Sequence, residues 1–546
     1  MNIFRNYLFG ATLTGALLFN LNVSAQTAPV ADLPKNWHQL DLKADGYYGI
    51  SLNNAYNFLK GKKSKTVVVA TIDSGIDTTQ NDLKSILWVN PKEVPNNGKD
   101  DDHDGLVDDV HGWDFLGGPG GKVDYTETTE EVREYNRLKP KYDGVSAAPE
   151  GNEKEYAYWL KVKAQHDETV NKSSSELQQL SPMMNALMAT SGYIKKELKL
   201  NSTQTFTKAD LEKIQATTND TIAQSKAVWS QMFNNIDGDN SKVIKDFSDY
   251  LKKLNNDVSP DLNVRKSIVG DNPDVQDGKP YGNNVLTNPD ASHGTGVAGL
   301  IGAVRGNGYG IDGVADNVRI MSIKAVPDGD EYDKDIANAI RFAVDHGAKV
   351  VNMSFGKKIS PHKDWVDAAF KYAADHDVLL VQASGNDGQN VDEKPEYPND
   401  TFANGSQTDG DNVISVGASS AKVGEDLAAS FSNYGKKNVD VFAPGVKVTS
   451  IDLNAEFNTA DGTSFASPIT AGIAALVLEY YPNLSAKQLK QVILQSATPT
   501  TGVTVVKPGT KDEKVDFTTL SKTGGVVNAY NAVQIASKLK GERKGK

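Results

Sequence analysis

Short runs of apolar and β-branched residues recur along the chain without the polar alternation of a half-exposed strand. Residues 66–72, for example, read Thr-Val-Val-Val-Ala-Thr-Ile. Such a run is typical of a strand that is buried on both faces, as in a parallel sheet covered by helices. Similar runs occupy residues 318–325, 349–354, 378–383, 413–416 and 439–442, and helical spacing of apolar residues appears between several of them, at 335–346 and 365–374.

Strands that alternate with helices predict right-handed βαβ units, and therefore an α/β fold with a mostly parallel central sheet. Ligands of such sheets bind beyond the carboxyl ends of the strands. Asp73 directly follows the first predicted strand. We therefore expect its side chain at the ligand-binding edge of the sheet.

The stretch from residue 117 to 285 breaks this alternation, because it is polar and rich in helical patterns. Its apolar residues recur at the spacing of one helix face. We expect a helical insertion of two to four antiparallel helices, with Pro182 and the serines at 173–175 interrupting the first. The apolar residues that define three such helix faces are Val170, Leu177, Leu180, Met184 and Leu187; Leu211, Ile214, Ile222 and Trp229; and Val243, Phe247, Tyr250 and Leu254.

Composition and charge narrow the classes of function. The 546 residues are 38% hydrophobic and 23% charged, which is typical of a globular chain with room for more than one compact unit. The formal net charge of −12 argues against nucleic acid as a partner. Because there is no cysteine, disulfides, thiolate catalysis and cysteine-based zinc sites are excluded.

The first 25 residues predict an export signal. Arg5 supplies a positive charge, residues 7–19 are mostly apolar, and Val23-Ser24-Ala25 places small residues before a cleavage ahead of Gln26. The apolar run is too short for a membrane anchor, and we expect no stable membrane insertion elsewhere in the chain. The mature protein is expected in the periplasm or outside the cell.

Three phrases far apart in the chain carry the side chains that activate a serine nucleophile. A serine hydroxyl needs a base to take its proton, and the base needs a carboxylate to hold its tautomer. Ser464, His293 and Asp73 fit these roles. Each phrase alone would also fit a turn, a helix start or an N-cap, but their joint order favours catalysis. The phrases are Thr71-Ile72-Asp73-Ser74-Gly75, Ser292-His293-Gly294-Thr295-Gly296 and Gly462-Thr463-Ser464-Phe465-Ala466-Ser467-Pro468.

The order Asp, His, Ser and the surrounding phrases resemble the subtilisin-like (subtilase) serine peptidases, over roughly residues 48–115 and 284–536. The resemblance implies a subtilisin-like three-layer fold and an acyl-enzyme on Ser464. It also implies that Asn386, in Ser384-Gly385-Asn386-Asp387-Gly388, stabilises the oxyanion together with the backbone N–H of Ser464. The chain departs from the family in the separation of Asp73 and His293, which are 220 residues apart. It also departs at its start, where about 40 residues after Gln26 are too few for the family's propeptide domain.

The same resemblance implies where a peptide substrate binds. Ser354, Phe355 and Gly356 would form the edge that pairs with the extended substrate, and Ser384 and Gly385 would line the pocket for the residue before the scissile bond. Glu396, ahead of Tyr397-Pro398, would lie at the floor of that pocket and favour Lys or Arg. Alternatively, Glu396 turns outward or pairs with Lys357 or Lys394, which would leave a broad apolar preference.

A dense acidic loop predicts a structural calcium ion. Residues 100–109 contain six carboxylates around Gly105, and they begin like an EF-hand loop, although His111 stands where that motif requires Glu. A solvated acidic loop is the alternative. The expected ligands are Asp100, Asp102, Asp104 and Asp108. For a second calcium site, Asp82 and Asn307 are indicated by the family resemblance alone.

These observations favour an exported serine endopeptidase that acts on polypeptides. Two alternatives remain open: a binding or assembly protein on a subtilase scaffold, and a processing protease for one protein partner docked on the helical insertion. The expected segments are a signal peptide at 1–25, a catalytic domain in two parts at 26–116 and 286–540, the helical insertion at 117–285, and a basic tail at 541–546.

Overall fold

The computed structural model describes residues 33–215, 219–234, 238–402 and 410–543. The predicted export signal at 1–25 and the last three residues of the basic tail lie outside these ranges. The described residues form two compact units. One extends over Tyr135–Asp261, and the other combines residues 33–134 with residues 262–543.

A nine-stranded sheet forms the centre of the larger unit, in the order β12-β15-β9-β8-β7-β6-β1-β5-β2. All neighbouring pairs are parallel except β12 and β15. The strands are β1 Val67–Asp73, β2 Gly112–Asp114, β5 Val318–Lys324, β6 Val350–Met353, β7 Leu379–Ala383, β8 Val413–Ser419, β9 Val441–Pro444, β12 Thr498–Pro499 and β15 Gly525–Val526; outside this sheet lie β3 Gly117–Gly118, β4 Lys122–Val123, β10 Val448–Ile451, β11 Phe457–Ala460, β13 Thr504–Val506 and β14 Lys514–Asp516.

Helices cover the sheet, and the described chain folds into the following α-helices: α1 Leu42–Asp45, α2 Leu52–Leu59, α3 Glu130–Tyr142, α4 Glu153–Glu197, α5 Lys208–Glu212, α6 Asp220–Phe233, α7 Asn240–Val258, α8 Val264–Ile268, α9 Ser292–Gly302, α10 Asp333–Asp345, α11 Lys363–Asp375, α12 Thr463–Tyr480, α13 Ala486–Ser496 and α14 Ala529–Ala536. The predicted α/β fold with a mostly parallel sheet is therefore confirmed. Each apolar run became a strand because its side chains are buried on both faces of the sheet.

The strand order reverses direction around β1, which lies between β5 and β6. The crevice beyond the carboxyl ends of strands at such a switch point is the usual binding site of a parallel α/β sheet. Asp73 is the last residue of β1 and lies in register with Lys324 at the end of β5. Two helices made largely of small and apolar residues, α9 and α12, are buried along almost their whole length and carry His293 and Ser464.

The helical unit is shorter than the predicted insertion of 117–285. Its compact part is Tyr135–Asp261, because the flanking residues belong to the larger unit. Among these flanking residues of the larger unit, Asp114 and Asn283 exchange two backbone hydrogen bonds, of 2.8 and 3.0 Å. Arg265 forms a buried ion pair with Asp335 of α10, 2.5 Å between Nη1 and Oδ2.

The expected interruption of the first inserted helix is wrong: α4 is continuous over 45 residues, through Pro182 and the serine-rich stretch. The helix packs against α7 in antiparallel orientation, with polar contacts on both sides of Pro182. Ser173, in the middle of α4, donates to Asp257 near the end of α7, and Asn240 at the start of α7 donates to Ser191 of α4. Among the described residues, no helix combines the length and apolarity that a membrane crossing requires.

Candidate active site

Asp73 is buried at the end of β1 and is aimed at His293. Its Oδ1 accepts hydrogen bonds from the backbone N–H of Ser74 at 2.8 Å and from His293 Nδ1 at 2.7 Å. Since an ionised carboxylate only accepts, Nδ1 carries the proton of the neutral imidazole. Nε2 is therefore left as the basic nitrogen of His293.

Close backbone packing brings His293 to this carboxylate. His293 is the second residue of α9, and a side chain at the next residue, Gly294, would lie 2.0 Å from the carbonyl oxygen of Gly75. Gly75 itself has a φ of 96°, a conformation that only glycine adopts without strain. These two glycines allow the start of α9 to rest against the turn that follows β1.

The electrostatics of His293 reflect two opposing effects. Burial of the ring lowers the pKa of His293. The charge of Asp73 and the hydrogen bond to it raise this pKa by more than burial lowers it, so the net shift is upward. The side chain keeps 39% of its surface exposed. A base in this position is accessible to a substrate and remains oriented by a buried carboxylate.

Ser464 lies in the first turn of α12, where backbone N–H groups have no partner within the helix. Two polar side chains of β6 and its end hold this turn in place. Ser354 Oγ donates to the carbonyl of Ser464 at 2.9 Å, and Asn352 accepts from Ser467 Oγ at 2.7 Å. Phe465 packs edge-on against the imidazole of His293, with ring centroids 6.1 Å apart.

Asn386 is oriented by Thr463, whose role the sequence analysis missed. The Asn386 Oδ1 accepts from the backbone N–H of Thr463 at 2.9 Å and from its hydroxyl at 3.0 Å, so the Nδ2 donor points the other way. A Cβ placed on Gly462 would lie 2.8 Å from Ser464 Oγ and 3.9 Å from Asn386 Nδ2. The hydroxyl and the amide donor therefore border the same space. Thr463 could have been noticed from its position inside the Gly-Thr-Ser phrase.

Glu396 lies where a pocket floor was expected, between the backbones of Gly356 and Gly385. A Cβ on Gly356 would approach Glu396 Oε1 to 3.1 Å, and one on Gly385 would approach Oε2 to 2.1 Å. The partner of Glu396 is Asn433, whose Nδ2 donates to Oε2. This partner was not predicted, and Asn433 lies 37 residues from Glu396 along the chain.

The predicted alternative pairing of Glu396 with Lys357 is wrong, because Lys357 is buried against other acceptors. Its Nζ contacts Glu130 and Asp333 at 2.8 and 2.9 Å. Burial, and then the charge of Asp387, raise the pKa of Glu396 to about 8. Of the other substrate-side predictions, Ser384 is buried, with its hydroxyl donating to the carbonyl of Asn433, and Phe355 is half-buried beside the sheet.

The acidic loop brings together part of the predicted calcium ligands. Ligand oxygens of Glu93, Asp100 and Asp102 lie within 4.8 Å of one another. Glu93 was not predicted. Glu93 Oε2 and Asp102 Oδ1 are buried and accept no hydrogen bond from a described residue. Buried carboxylate oxygens without donors are costly unless a cation neutralises them, so this donor set fits calcium.

The remaining predicted metal ligands have other partners. The carboxylate of Asp108 accepts from the backbone N–H groups of Asn97 and Gly98, at 3.1 and 2.8 Å. Asp104 lies towards His346 instead, at 3.3 Å. At the second predicted site, the Asn307 amide donates to Asp82 Oδ1 at 2.6 Å, so its nitrogen rather than its oxygen faces the carboxylate. This geometry does not present Asp82 and Asn307 as a pair of oxygen ligands.

Comparisons with known proteins agree with the fold. A model of the subtilase family, peptidase S8, matches residues 64–524, and the chain belongs to this family. It is 36% identical over 243 residues to a thermophilic serine proteinase of Bacillus sp. (strain AK1), covering 44% of this chain and 52% of the relative. It is 34% identical over 242 residues to subtilisin BL of Lederbergia lenta, covering 44% and 78%.

The chain thus spans about half the length, 52%, of the first of these relatives. Among solved structures, proteases from Pseudoalteromonas arctica align with 92% of this chain and 97% of their own, with a TM-score of 0.45 and 18% identity.

Proposed function

We propose that this protein is an exported serine endopeptidase that hydrolyses polypeptides through an acyl-enzyme on Ser464. The observation that carries the proposal is the 2.7 Å hydrogen bond between Asp73 and the Nδ1 of His293, whose ring contacts Phe465 in the first turn of α12. Membership of the subtilase family supports it. Export rests on residues 1–25, and sequencing of the mature N-terminus should find Gln26 first.

In the proposed reaction, His293 Nε2 takes the proton of Ser464 as its oxygen attacks the peptide carbonyl. Asp73 stabilises the imidazolium that forms. The oxyanion accepts from the backbone N–H of Ser464 and from Asn386 Nδ2, which Thr463 holds in place. His293 then donates its proton to the leaving amine, and a water molecule hydrolyses the acyl-enzyme.

The base must be neutral to accept this proton. Activity is therefore expected above the folded-state pKa of His293 and is lost as the pH falls through it. Because Asp73 raises this pKa, the loss begins at a higher pH than for an ordinary histidine.

Calcium, as a structural ion, is proposed to bind Glu93, Asp100 and Asp102. Two of the three residues, Glu93 and Asp102, each have one buried oxygen without a donor among the described residues. The ion would neutralise the loop that leads from β1 to β2, and it supplies no catalytic step.

A second candidate function is the processing of one protein partner. A groove of about 810 Å³ on the helical unit favours it. Four lysines, three apolar residues and one aspartate are among the residues that line the groove: Lys195, Lys196, Lys245, Lys252, Met188, Leu200, Ile244 and Asp249. An acidic polypeptide with apolar anchors is the partner that complements this lining.

Labelling of the full chain with an active-site fluorophosphonate tests the proposal. We expect wild type to be labelled and Ser464→Ala, checked for folding by circular dichroism, to remain unlabelled. Asn386→Ala should still be labelled but lose about 10²–10³ in kcat, a magnitude carried over from subtilisin, in which removal of one such donor has this effect. Folded wild-type protein without labelling would favour the binding-scaffold alternative.

A further inference from the structure

His346 lies at the carboxyl end of α10, with its imidazole fixed by two contacts. Its Nδ1 is 2.9 Å from the carbonyl oxygen of Phe342. A carbonyl can only accept, so Nδ1 carries a proton and Nε2 points away from the helix. The ring also stacks on Phe342, with centroids 4.1 Å apart.

Three carboxylates of the acidic loop face this Nε2. Asp104 Oδ2 is 3.3 Å from it, and Asp109 Oδ2 is 3.5 Å from it. Ligand atoms of Asp102, Asp104 and His346 lie within 4.8 Å of one another. Asp102 Oδ1 and Asp109 Oδ2 are buried and accept no hydrogen bond from any residue within the described ranges. The side chains of Asp102 and Asp109 are only 2% and 0% exposed.

We propose that His346, Asp104, Asp109 and Asp102 bind a divalent cation of the zinc type, next to the calcium-binding group of the same loop. The spacing supports this: two ligands about 2.1 Å from a tetrahedral ion lie about 3.4 Å apart. The two Nε2–oxygen distances, 3.3 and 3.5 Å, bracket that value. Such a site would bind the cation whether or not the protein cleaves peptides.

A protonated His346 explains these contacts less well. An imidazolium would donate a charge-assisted hydrogen bond of about 2.7–2.9 Å to one carboxylate. Asp109 Oδ2 instead accepts none from the described residues, and both distances are longer. The nitrogen ligand also selects the metal, because calcium and magnesium prefer oxygen, whereas zinc accepts imidazole and carboxylate together.

Asp102 connects the two sites, since it belongs both to the group with Glu93 and Asp100 and to the group with Asp104 and His346. Of its two oxygens, Oδ1 is buried without a donor among the described residues, whereas Oδ2 accepts from Asn90 Nδ2 at 3.4 Å. The loop would hold calcium on its all-oxygen side and zinc on the side of α10, which would fasten the chain between β1 and β2 to that helix.

Calorimetric titration of the metal-stripped full chain with Zn²⁺ tests this site. A Ser464→Ala background prevents self-cleavage, and saturating Ca²⁺ keeps the oxygen site filled. We expect one equivalent of Zn²⁺ to bind, and His346→Asn to weaken it by at least about 100-fold. The matched control is His103→Asn, because His103 is an exposed histidine of the same loop with a φ of 62°, which Asn tolerates.

Glu93→Gln separates the two sites, since it should weaken Ca²⁺ and leave Zn²⁺ unchanged. Should His346→Asn fail to fold, Asp104→Asn gives the same test, because its side chain is 29% exposed and not part of the core. The proposal is overturned if no Zn²⁺ binds in the presence of Ca²⁺. It is also overturned if either variant binds Zn²⁺ as tightly as the His103→Asn control.

Discussion

The carboxyl group of Glu396 lies between Gly356 and Gly385, and in this position its charge changes near neutral pH. Burial and the neighbouring charge of Asp387 raise its pKa to about 8. Below that pH the group is mostly neutral, and above it the space between the two glycines carries a negative charge. A lysine substrate stays positive well beyond this range, with a pKa of about 10.4. The predicted preference for basic residues therefore becomes conditional on pH.

We expect the ratio of kcat/KM for a Lys peptide to that for a matched Leu peptide to rise by about tenfold as the pH increases through the pKa of Glu396. Both substrates use the same His293, so its titration cancels in the ratio. Glu396→Gln keeps the hydrogen-bonding shape and removes the charge, and it should flatten the profile. A ratio that is constant with pH in wild type, or that rises equally in Glu396→Gln, would refute a role of this carboxylate in specificity.

At single positions, the sequence predicted residues whose chemistry is intrinsic to their type. A carboxylate, an imidazole and a hydroxyl in three phrases indicated Asp73, His293 and Ser464, two of which the fold joins by a hydrogen bond. It did not predict Thr463 or Asn433, because their importance comes from the partner they contact. Those contacts link positions 77 and 37 residues apart, so a local phrase can point to Thr463 but cannot show which residue it contacts.

Strands and helices were predicted well where the burial of a continuous apolar run determines the secondary structure. They were predicted poorly where tertiary contacts override the local conformational preference of the residues. Six strands of the sheet, β1 and β5 to β9, follow from continuous apolar runs, since both faces are covered. The short strands β2, β12 and β15 were not predicted. The continuity of α4 does not follow from its sequence, because Pro182 removes a helical hydrogen bond. Packing of Leu180 and Leu187 in the core of the helical unit compensates for that loss.

Trp229 of α6 is the best test of that core. Its ring is fully buried, stands edge-on to Phe206 at 5.1 Å, and donates its indole N–H to Thr190 of α4 at 3.1 Å. We expect Trp229→Ala to lower the free energy of unfolding of the helical unit by about 3–5 kcal/mol. Urea unfolding, followed by hydrogen exchange in peptides from Tyr135–Asp261, measures it.

The exposed Leu160 of α4 provides the control, since Leu160→Ala should change the same free energy by less than about 0.5 kcal/mol. Equal exchange midpoints for Trp229→Ala and wild type would mean that this aromatic cluster does not hold the helices together.

On the scale of the whole molecule, the chain divides into a unit that contains the proposed chemistry and a unit that does not. All strands of the nine-stranded sheet belong to the larger unit, as do Asp73, His293, Asn386 and Ser464. The helical unit has a hydrophobic core of its own, with Trp229 and Phe247 among its buried residues. Each unit thus has a hydrophobic core of its own.

This division predicts that the larger unit functions alone. Replacing residues 135–261 by a flexible Gly-Ser linker should leave a folded protein whose Ser464 is labelled by fluorophosphonate and which cleaves short peptides with an unchanged kcat/KM. If the lysine-lined groove recruits an acidic partner, cleavage of that partner should fall while peptide cleavage persists. The Ser464→Ala version of the deletion controls for unspecific labelling. Loss of labelling in the folded deletion protein would instead make the helical unit a required part of the active site.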